Sequence, residues 1–409
     1  MNKMRVILNL LVAASIAVVV ASTTASAQKK YDPGATDTEI KIGQTAPFSG
    51  PGSAYSAVAK TNAAYIRMIN DAGGVNGRKI NLIQYDDAYS PPKTVEQVRK
   101  LVESDEVLFT FQIVGTASNA AVQKYLNLKG IPQMFPASGA VKFSDSKNFP
   151  WTIGFNHSYI GEARIYAQFI LDNYPNAKIG VIYQNDDFGK DYLAGLKLGL
   201  GEKAAKMIVG TESFEMSDPT IDSQIVKLKT MGADLVFNAA TAKFAAQGIR
   251  KIASLGWKPV HILNINAVSI GAVLQPAGLE NAKDVISANY IKDTQDARWK
   301  DDPGMKRYLA FMAKYNPEGD KDSIYNPYAY NTSQLLIEIL KRCGDDLTRE
   351  NILRQATNMK GIQLDMVLPG ILGHISPTDY PVYKQFQMMK FDGARWEMFG
   401  PILEDKAGG

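Results

Sequence analysis

The feature that most constrains this chain is a rhythm: short β-rich runs alternate with longer amphipathic ones, twice in series. "EIKIGQTAPF" leads to a segment that places Val58, Asn62, Tyr65, Ile66 and Ile69 on one helical face. "KINLIQYDD" leads to "PPKTVEQVRKLVE", "EVLFTFQIV" to "NAAVQKYLNL", and "IPQMFPA" closes the set. Such βαβ repetition predicts a parallel sheet covered by helices. A second set follows "FPWTIGFN", with "KIGVIYQ", "MIVGTESF", "ADLVFNAA" and "VHILNIN" each beside a helical segment. At 409 residues the chain has material for two cores. Two doubly wound, Rossmann-like α/β lobes in series are the economical expectation.

The final third departs from the rhythm. "DVISANYI" reads as a strand, helices are expected through Met305 to Tyr315 and Tyr328 to Arg342, and "YKQFQMMKFDGARWEMF" reads as a hairpin turning at Asp392-Gly393. Too few strands remain for a third open sheet, so this part is expected to complete the first two lobes.

The N-terminus has a different character. Lys3 and Arg5 precede an apolar run from Val6 to Val20, and Ala25-Ser26-Ala27 supplies small residues before Gln28, the pattern of a cleavable secretory signal over residues 1–27. The run is shorter than the roughly 20 residues a bilayer span needs. Export to the periplasm as a soluble chain is therefore expected. The single cysteine, Cys343, excludes an intramolecular disulfide. The net charge of +4 falls to +2 once Lys3 and Arg5 leave, and without a basic tract nucleic acid is not an expected partner.

Catalytic and metal-binding patterns are missing. His157, His261 and His374 are the only histidines, none at metal-ligand spacing from another. No Gly-x-Ser-x-Gly elbow, phosphate-loop Gly-Lys-Ser/Thr or Cys-x-x-Cys occurs. Asp86-Asp87 and Asp186-Asp187 end strands, where turn capping is their commoner use. What stands out instead is small and hydroxyl residues at strand ends: "GTAS" at 115–118, "PASGA" at 136–140 and "NAATA" at 238–242. Loops beyond the carboxyl ends of parallel strands form the ligand crevice. At "VGTASNAAV", where a strand turns into a helix, unpaired N–H groups and hydroxyls favour an anion.

The stretches "IKIGQTAPFSGPGSAYS", "NDAGGVNGRKINLIQYDDA", "IPQMFPASGA", "VIYQNDDFGKDYLAGLK" and "IRKIASLG" resemble, in order and spacing, the type I periplasmic solute-binding proteins of the leucine/isoleucine/valine-binding family, which serve ATP-driven importers. The resemblance runs from about Ile40 to the C-terminal hairpin. It implies two α/β lobes joined by a three-segment hinge, with crossings near Ile153 to His157, Val285 to Asn289 and Gly370 to Ser376. Lobe I would hold residues 28–155 and 287–372, and lobe II residues 156–286 and 373–409.

The resemblance also implies a site. A ligand carboxylate would be held by Thr116 and by Ala137, Ser138 and Gly139, with Tyr55, Phe188 and Tyr328 as apolar contacts, and with no cofactor or metal. Gly139 stands where the family has a hydroxyl amino acid, and the family's tyrosine after the fifth second-lobe strand is replaced near Thr241 or Ala242. The acid that pairs with a ligand ammonium should fall near Asn264 to Asn266, yet no Asp or Glu occurs from Leu235 to Leu279. Burying an ammonium without a countercharge costs several kcal/mol. The expected ligand is therefore a small apolar or aromatic carboxylate lacking an α-amine, with Thr241, Asn264 and Lys243 available for a neutral or acidic distal group such as a phenol. The expected partner is an ABC-transporter permease, and the expected state a monomer. The rival readings are a branched-chain amino-acid-binding protein, a ligand-sensing regulatory domain, and a cryptic hydrolase.

Overall fold

The structure, a computed structural model, describes residues 29–405; the expected signal segment, 1–27, lies outside them. Among the described residues no helix is long and apolar enough to cross a membrane.

Two open sheets organise residues 31 onward. The first contains β1 (Glu39–Ala46), β2 (Lys79–Asp86), β3 (Phe109–Phe111), β4 (Gln133–Met134) and β5 (Thr152–Ile153) in the order β2-β1-β3-β4-β5, all parallel. The second contains β6 (Ile179–Gln184), β7 (Ile208–Phe214), β8 (Leu235–Ala239), β9 (Val260–Leu263), β10 (Ile286–Asn289), β11 (Gln385–Phe391) and β12 (Trp396–Glu404) in the order β12-β11-β10-β9-β8-β6-β7. β6 to β10 are parallel, and the C-terminal hairpin adds β11 and β12 antiparallel at one edge. Each sheet reverses its strand order once, between β1 and β3 and between β6 and β8. The mixed α/β, doubly wound architecture expected from the βαβ rhythm is present.

Helices cover the sheets as the apolar spacing requires. In the first half α1 (Ser56–Asp71) packs against the late helices α8 (Pro303–Tyr315) and α9 (Tyr325–Cys343), while α2 (Pro91–Glu103) packs on α3 (Thr116–Lys129). The α2–α3 layer encloses its own cluster of Val98, Ile113, Val122, Leu126 and Ile131. In the second half α4 (Tyr159–Asn173) lies along α5 (Asp187–Leu200), and α6 (Asp222–Thr230) along α7 (Ala242–Ser254).

Two expectations shift. The run Val107 to Val114 forms a ladder over Phe109–Phe111 only and pairs again as a single bridge from Val114 to Ala137. The interruption has a backbone cause: Gln112 and, on the neighbouring strand, Phe135 both take left-handed φ values of 51° and 54°, uncommon for non-glycine residues. Gln112 Nε2 donates to Phe135 O at 2.6 Å, which ties the two kinks together. The second crossing is also displaced. Ile286–Asn289 is a full strand of the second sheet, so the chain leaves that sheet after Asn289 rather than within 285–289. At the third, Gly373–Ile375 pairs with Met359–Ile362, and the chain enters the second sheet only at Gln385.

Candidate functional site

In an open parallel sheet the crevice lies outside the carboxyl ends of the strands where the order reverses. Here those places are the loops after β1, β3, β6 and β8, and they face one cavity. Tyr55, Tyr89, Val114 to Thr116 and Ala137 line it from the first half, and Phe188, Thr241, Ile265 and Asn266 from the second. The connecting segments add Asn156, His157, Tyr290 and Ile291, and the start of α9 adds Ile324, Tyr325 and Tyr328. The space open to the centre of a water-sized sphere is about 70 Å³. The halves touch around it: Ala242 N–H donates to Tyr55 Oη at 2.9 Å, and Tyr325 Oη donates to Asn266 O at 3.0 Å.

The N-terminus of α3 opens on this cavity. Its cap is Gly115, at φ 103° and with no side-chain capping bond, and a Cβ there would lie 2.7 Å from the Tyr89 ring. Only glycine takes that φ freely and leaves the ring its place. The first helical N–H groups therefore have no intrahelical acceptor. Thr116 Oγ1 lies 2.7 Å from Ser138 Oγ, and the Tyr159 hydroxyl faces both residues, which stabilise its charged form. Three hydroxyls thus converge at the positive end of a helix, an arrangement that stabilises a carboxylate. Burial pushes the Tyr159 hydroxyl up to about 12, so it remains a protonated donor.

The structure explains the hydroxyl missing at Gly139. A Cβ there would sit 2.0 Å from His157 O and 2.9 Å from the Tyr159 ring. The Tyr159 side chain occupies that space and brings its own hydroxyl to the cluster.

Seven of the nineteen lining residues are Tyr or Phe and none is Asp, Glu, Lys or Arg, so the wall is aromatic and formally uncharged. Tyr159 stacks on Tyr192 at 4.9 Å and meets Phe188 edge-on at 5.1 Å; Tyr55 meets Tyr325 edge-on at 5.1 Å. Burial raises the hydroxyls of Tyr55, Tyr325 and Tyr328 above their ordinary range. The Tyr328 hydroxyl accepts from Gln112 Nε2 at 3.2 Å, which uses the kinked strand end to orient the ring. Among the described residues no group of three or more His, Cys, Asp or Glu is arranged to hold a metal.

Of the residues singled out in the sequence, Tyr55, Thr116, Ala137, Phe188, Thr241 and Tyr328 line the cavity together. Ser138 lies just behind, bonded to Thr116. Gly139 is behind the wall. Asn264 is fully buried outside it: its Nδ2 donates to Asn238 O and Ala240 O, and its Oδ1 accepts from Asn266 N–H. The neighbouring Asn266 takes the lining position, so the expectation for Asn264 shifts by two residues. Lys243 is exposed, its Nζ 4.8 Å from the centre of the Phe244 ring. Tyr89, Asn156, His157, Tyr159, Tyr290 and Tyr325 also line the cavity, and for all but Tyr325 no local signal in the sequence marks them. Tyr325 was within reach, since it stands three residues before Tyr328 on one helix and shares its face.

Comparison with known proteins agrees with this geometry. The family model described as "Periplasmic binding protein" matches residues 39–393. Among curated relatives, the Leu/Ile/Val-binding protein homolog 1 of Brucella suis biovar 1 is 23% identical over 317 residues, covering 76% of this chain and 81% of that protein. Among solved structures, a branched chain amino acid ABC transporter protein from Thermus thermophilus with bound valine superposes with a TM-score of 0.79 at 16% identity, covering 90% of this chain and 97% of that one. The fatty acid ABC transporter substrate-binding protein from Thermomonospora curvata gives 0.76 at 20%, covering 92% and 95%. An aromatic crevice between two doubly wound sheets, in a chain that the family model matches over residues 39–393, places this chain in the periplasmic binding protein family.

Proposed function

We propose that the chain is the periplasmic, monomeric solute receptor of an ABC importer, and that it captures a small apolar or aromatic carboxylate lacking an α-amine. The two sheets with their helices act as lobes, joined by the crossovers after β5, after β10 and before β11, and closure over the solute forms the surface that a membrane permease reads. Thr116, Ser138, Tyr159 and the N–H groups of the first turn of α3 hold the carboxylate; the N–H groups of Ala137 and Ser138, expected to help, are spent on Ile113 O and Pro136 O. Tyr55, Phe188 and Tyr328 contact the apolar body, and Thr241 and Asn266 lie toward its far end.

The observation that carries this reading is the absence of any charged residue from the lining. Three carboxylates bond to lining residues from behind the wall, and each is already engaged: Glu162 accepts from four donors including His157 and Ile265, Asp87 from Tyr89 N–H and Thr94, and Asp186 from Gln184, Phe188 N–H and Gly189 N–H. An ammonium in the cavity would therefore be desolvated without a countercharge. That costs several kcal/mol, against about 8 kcal/mol for micromolar binding. The solved structural neighbours include proteins named for both kinds of solute, valine and fatty acid. Mass spectrometry of the solute released by denaturing freshly purified protein tests the proposal. A monocarboxylate without an amine is expected; leucine, isoleucine or valine contradicts it.

A further inference from the structure

The crossover after β5, "GFNHS", carries two polar side chains into the cavity wall, and neither is accounted for by the carboxylate cluster. Asn156 is 7% and His157 2% exposed, and both line the cavity. Asn156 Oδ1 and His157 Nδ1 are buried and have no hydrogen-bond partner. Buried polar atoms are nearly always paired, so two unpaired neighbours in a ligand cavity mark a place where the ligand supplies the partner.

The other side of the imidazole is fixed. His157 Nε2 lies 2.7 Å from Glu162 Oε2, and Glu162 also accepts from Tyr192 Oη at 2.5 Å, Tyr166 Oη at 2.8 Å and Ile265 N–H at 2.8 Å. A carboxyl group surrounded by donors accepts from Nε2 as well, which leaves Nδ1, on a residue that lines the cavity, as the unpaired nitrogen, as in the carboxylate–histidine pairs that orient metal ligands. Tyr159, Tyr290 and Phe386 meet the imidazole edge-on at 5.9, 5.7 and 5.4 Å and hold its plane.

The chemistry of the pair selects its partner. Asn156 Oδ1 requires a donor. His157 Nδ1 accepts when the ring is neutral and donates when it is charged. A hydroxyl is donor and acceptor at once and satisfies both atoms in either state. A carboxylate would face the Asn156 oxygen with like charge. An ammonium would bring three donors to two acceptors, with no charged residue in the lining. We propose that Asn156 and His157 bind a hydroxyl group of the solute, with Glu162 as the positioning residue, so that the preferred solute is a hydroxylated carboxylic acid. This rests on the carboxylate reading above and adds a second polar end to it.

Titration calorimetry on the wild-type chain with two pairs of acids tests it: benzoate against 4-hydroxybenzoate, and phenylpropenoate against its 4-hydroxy derivative. In at least one pair the hydroxylated acid should bind roughly tenfold tighter, the scale of one well-made hydrogen bond and one relieved unpaired atom. Asn156→Leu should bring that ratio close to one, and Glu162→Gln should reduce it by loosening the imidazole. A ratio unchanged in Asn156→Leu, or both acids weakened equally, overturns the hydroxyl site and leaves the carboxylate reading standing. If no acid of either pair binds, both fall. Should the variants fail to fold, ¹⁵N spectra of the wild-type histidines decide: the His157 Nδ1 resonance should move with the hydroxylated acid and not with its parent, and equal movement with both rejects the proposal.

Discussion

Thr116 and Ser138 lie 2.7 Å apart at the start of α3, and each hydroxyl can donate only once. They bond to each other; a carboxylate would draw a donor to itself. Thr116→Ala should therefore weaken carboxylate ligands by roughly 1–3 kcal/mol, the range for a hydrogen bond to a charged group or an unmet buried partner. Thr116→Ser should keep most of the affinity. Calorimetry on the two variants checks this, and equal loss in both would point to packing of the threonine methyl instead. Much of this cluster was legible, because small and hydroxyl residues at strand ends have a direct reading in an open sheet. Tyr159 was not: it belongs to the second half in sequence and reaches the first half's loop only because the crossover carries it there. Asn264 shows the converse error, since position in a loop does not say which of two asparagines spends its amide on the backbone.

Between elements, α4 and α5 pack tightly on each other. A Cβ added at Gly195 would lie 2.5 Å from Ile160 O and 2.8 Å from Ala163 Cβ. Replacing glycine in a helix normally gains up to about 1 kcal/mol of propensity, but here backbone must move to admit the side chain. Gly195→Val should lower stability by about 1–3 kcal/mol, the cost of overpacking, measured by urea unfolding; a neutral or stabilising result would mean the helices can part. The N-terminal turns of α5 also meet the segment Val141–Ser144 from the first half. Asp191 Oδ2 accepts from Val141 N–H at 2.8 Å and Lys142 Nζ pairs with Asp187 at 2.7 Å. Burial, reinforced by Asp187 and Asp186, pushes the Asp191 carboxyl up to about 6. A carboxyl raised on folding binds more protons folded than unfolded, so its contribution favours the folded state below about pH 4 and is lost as pH rises through about 6. Asp191→Asn, which keeps an acceptor for Val141, should raise the melting temperature more at pH 7.5 than at pH 4.5. An equal change at both would remove Asp191 from the account.

At the scale of the whole molecule, the alternation of strand and helix specified both sheets, because parallel strands need crossovers and crossovers leave a period in the sequence. The late third carried no such period. Its strand Ile286–Asn289 adds to the second sheet, whereas α8 and α9 return to pack on α1 in the first, a division made by long-range burial that local patterns do not record. That return brings Tyr325 and Tyr328 into the crevice and makes the cavity as aromatic as it is. An uncharged, aromatic cavity with one anion-holding end should bind acids and reject zwitterions, and bound solute should raise the melting temperature in proportion to the logarithm of its concentration above Kd. The most direct measurement is titration calorimetry of one preparation, stripped of solute by unfolding and refolding, with leucine and valine on one side and benzoate-like and phenylpropenoate-like acids on the other. Micromolar binding of at least one acid and of none of the amino acids is expected; micromolar leucine or valine with no binding of the acids would overturn the carboxylate proposal.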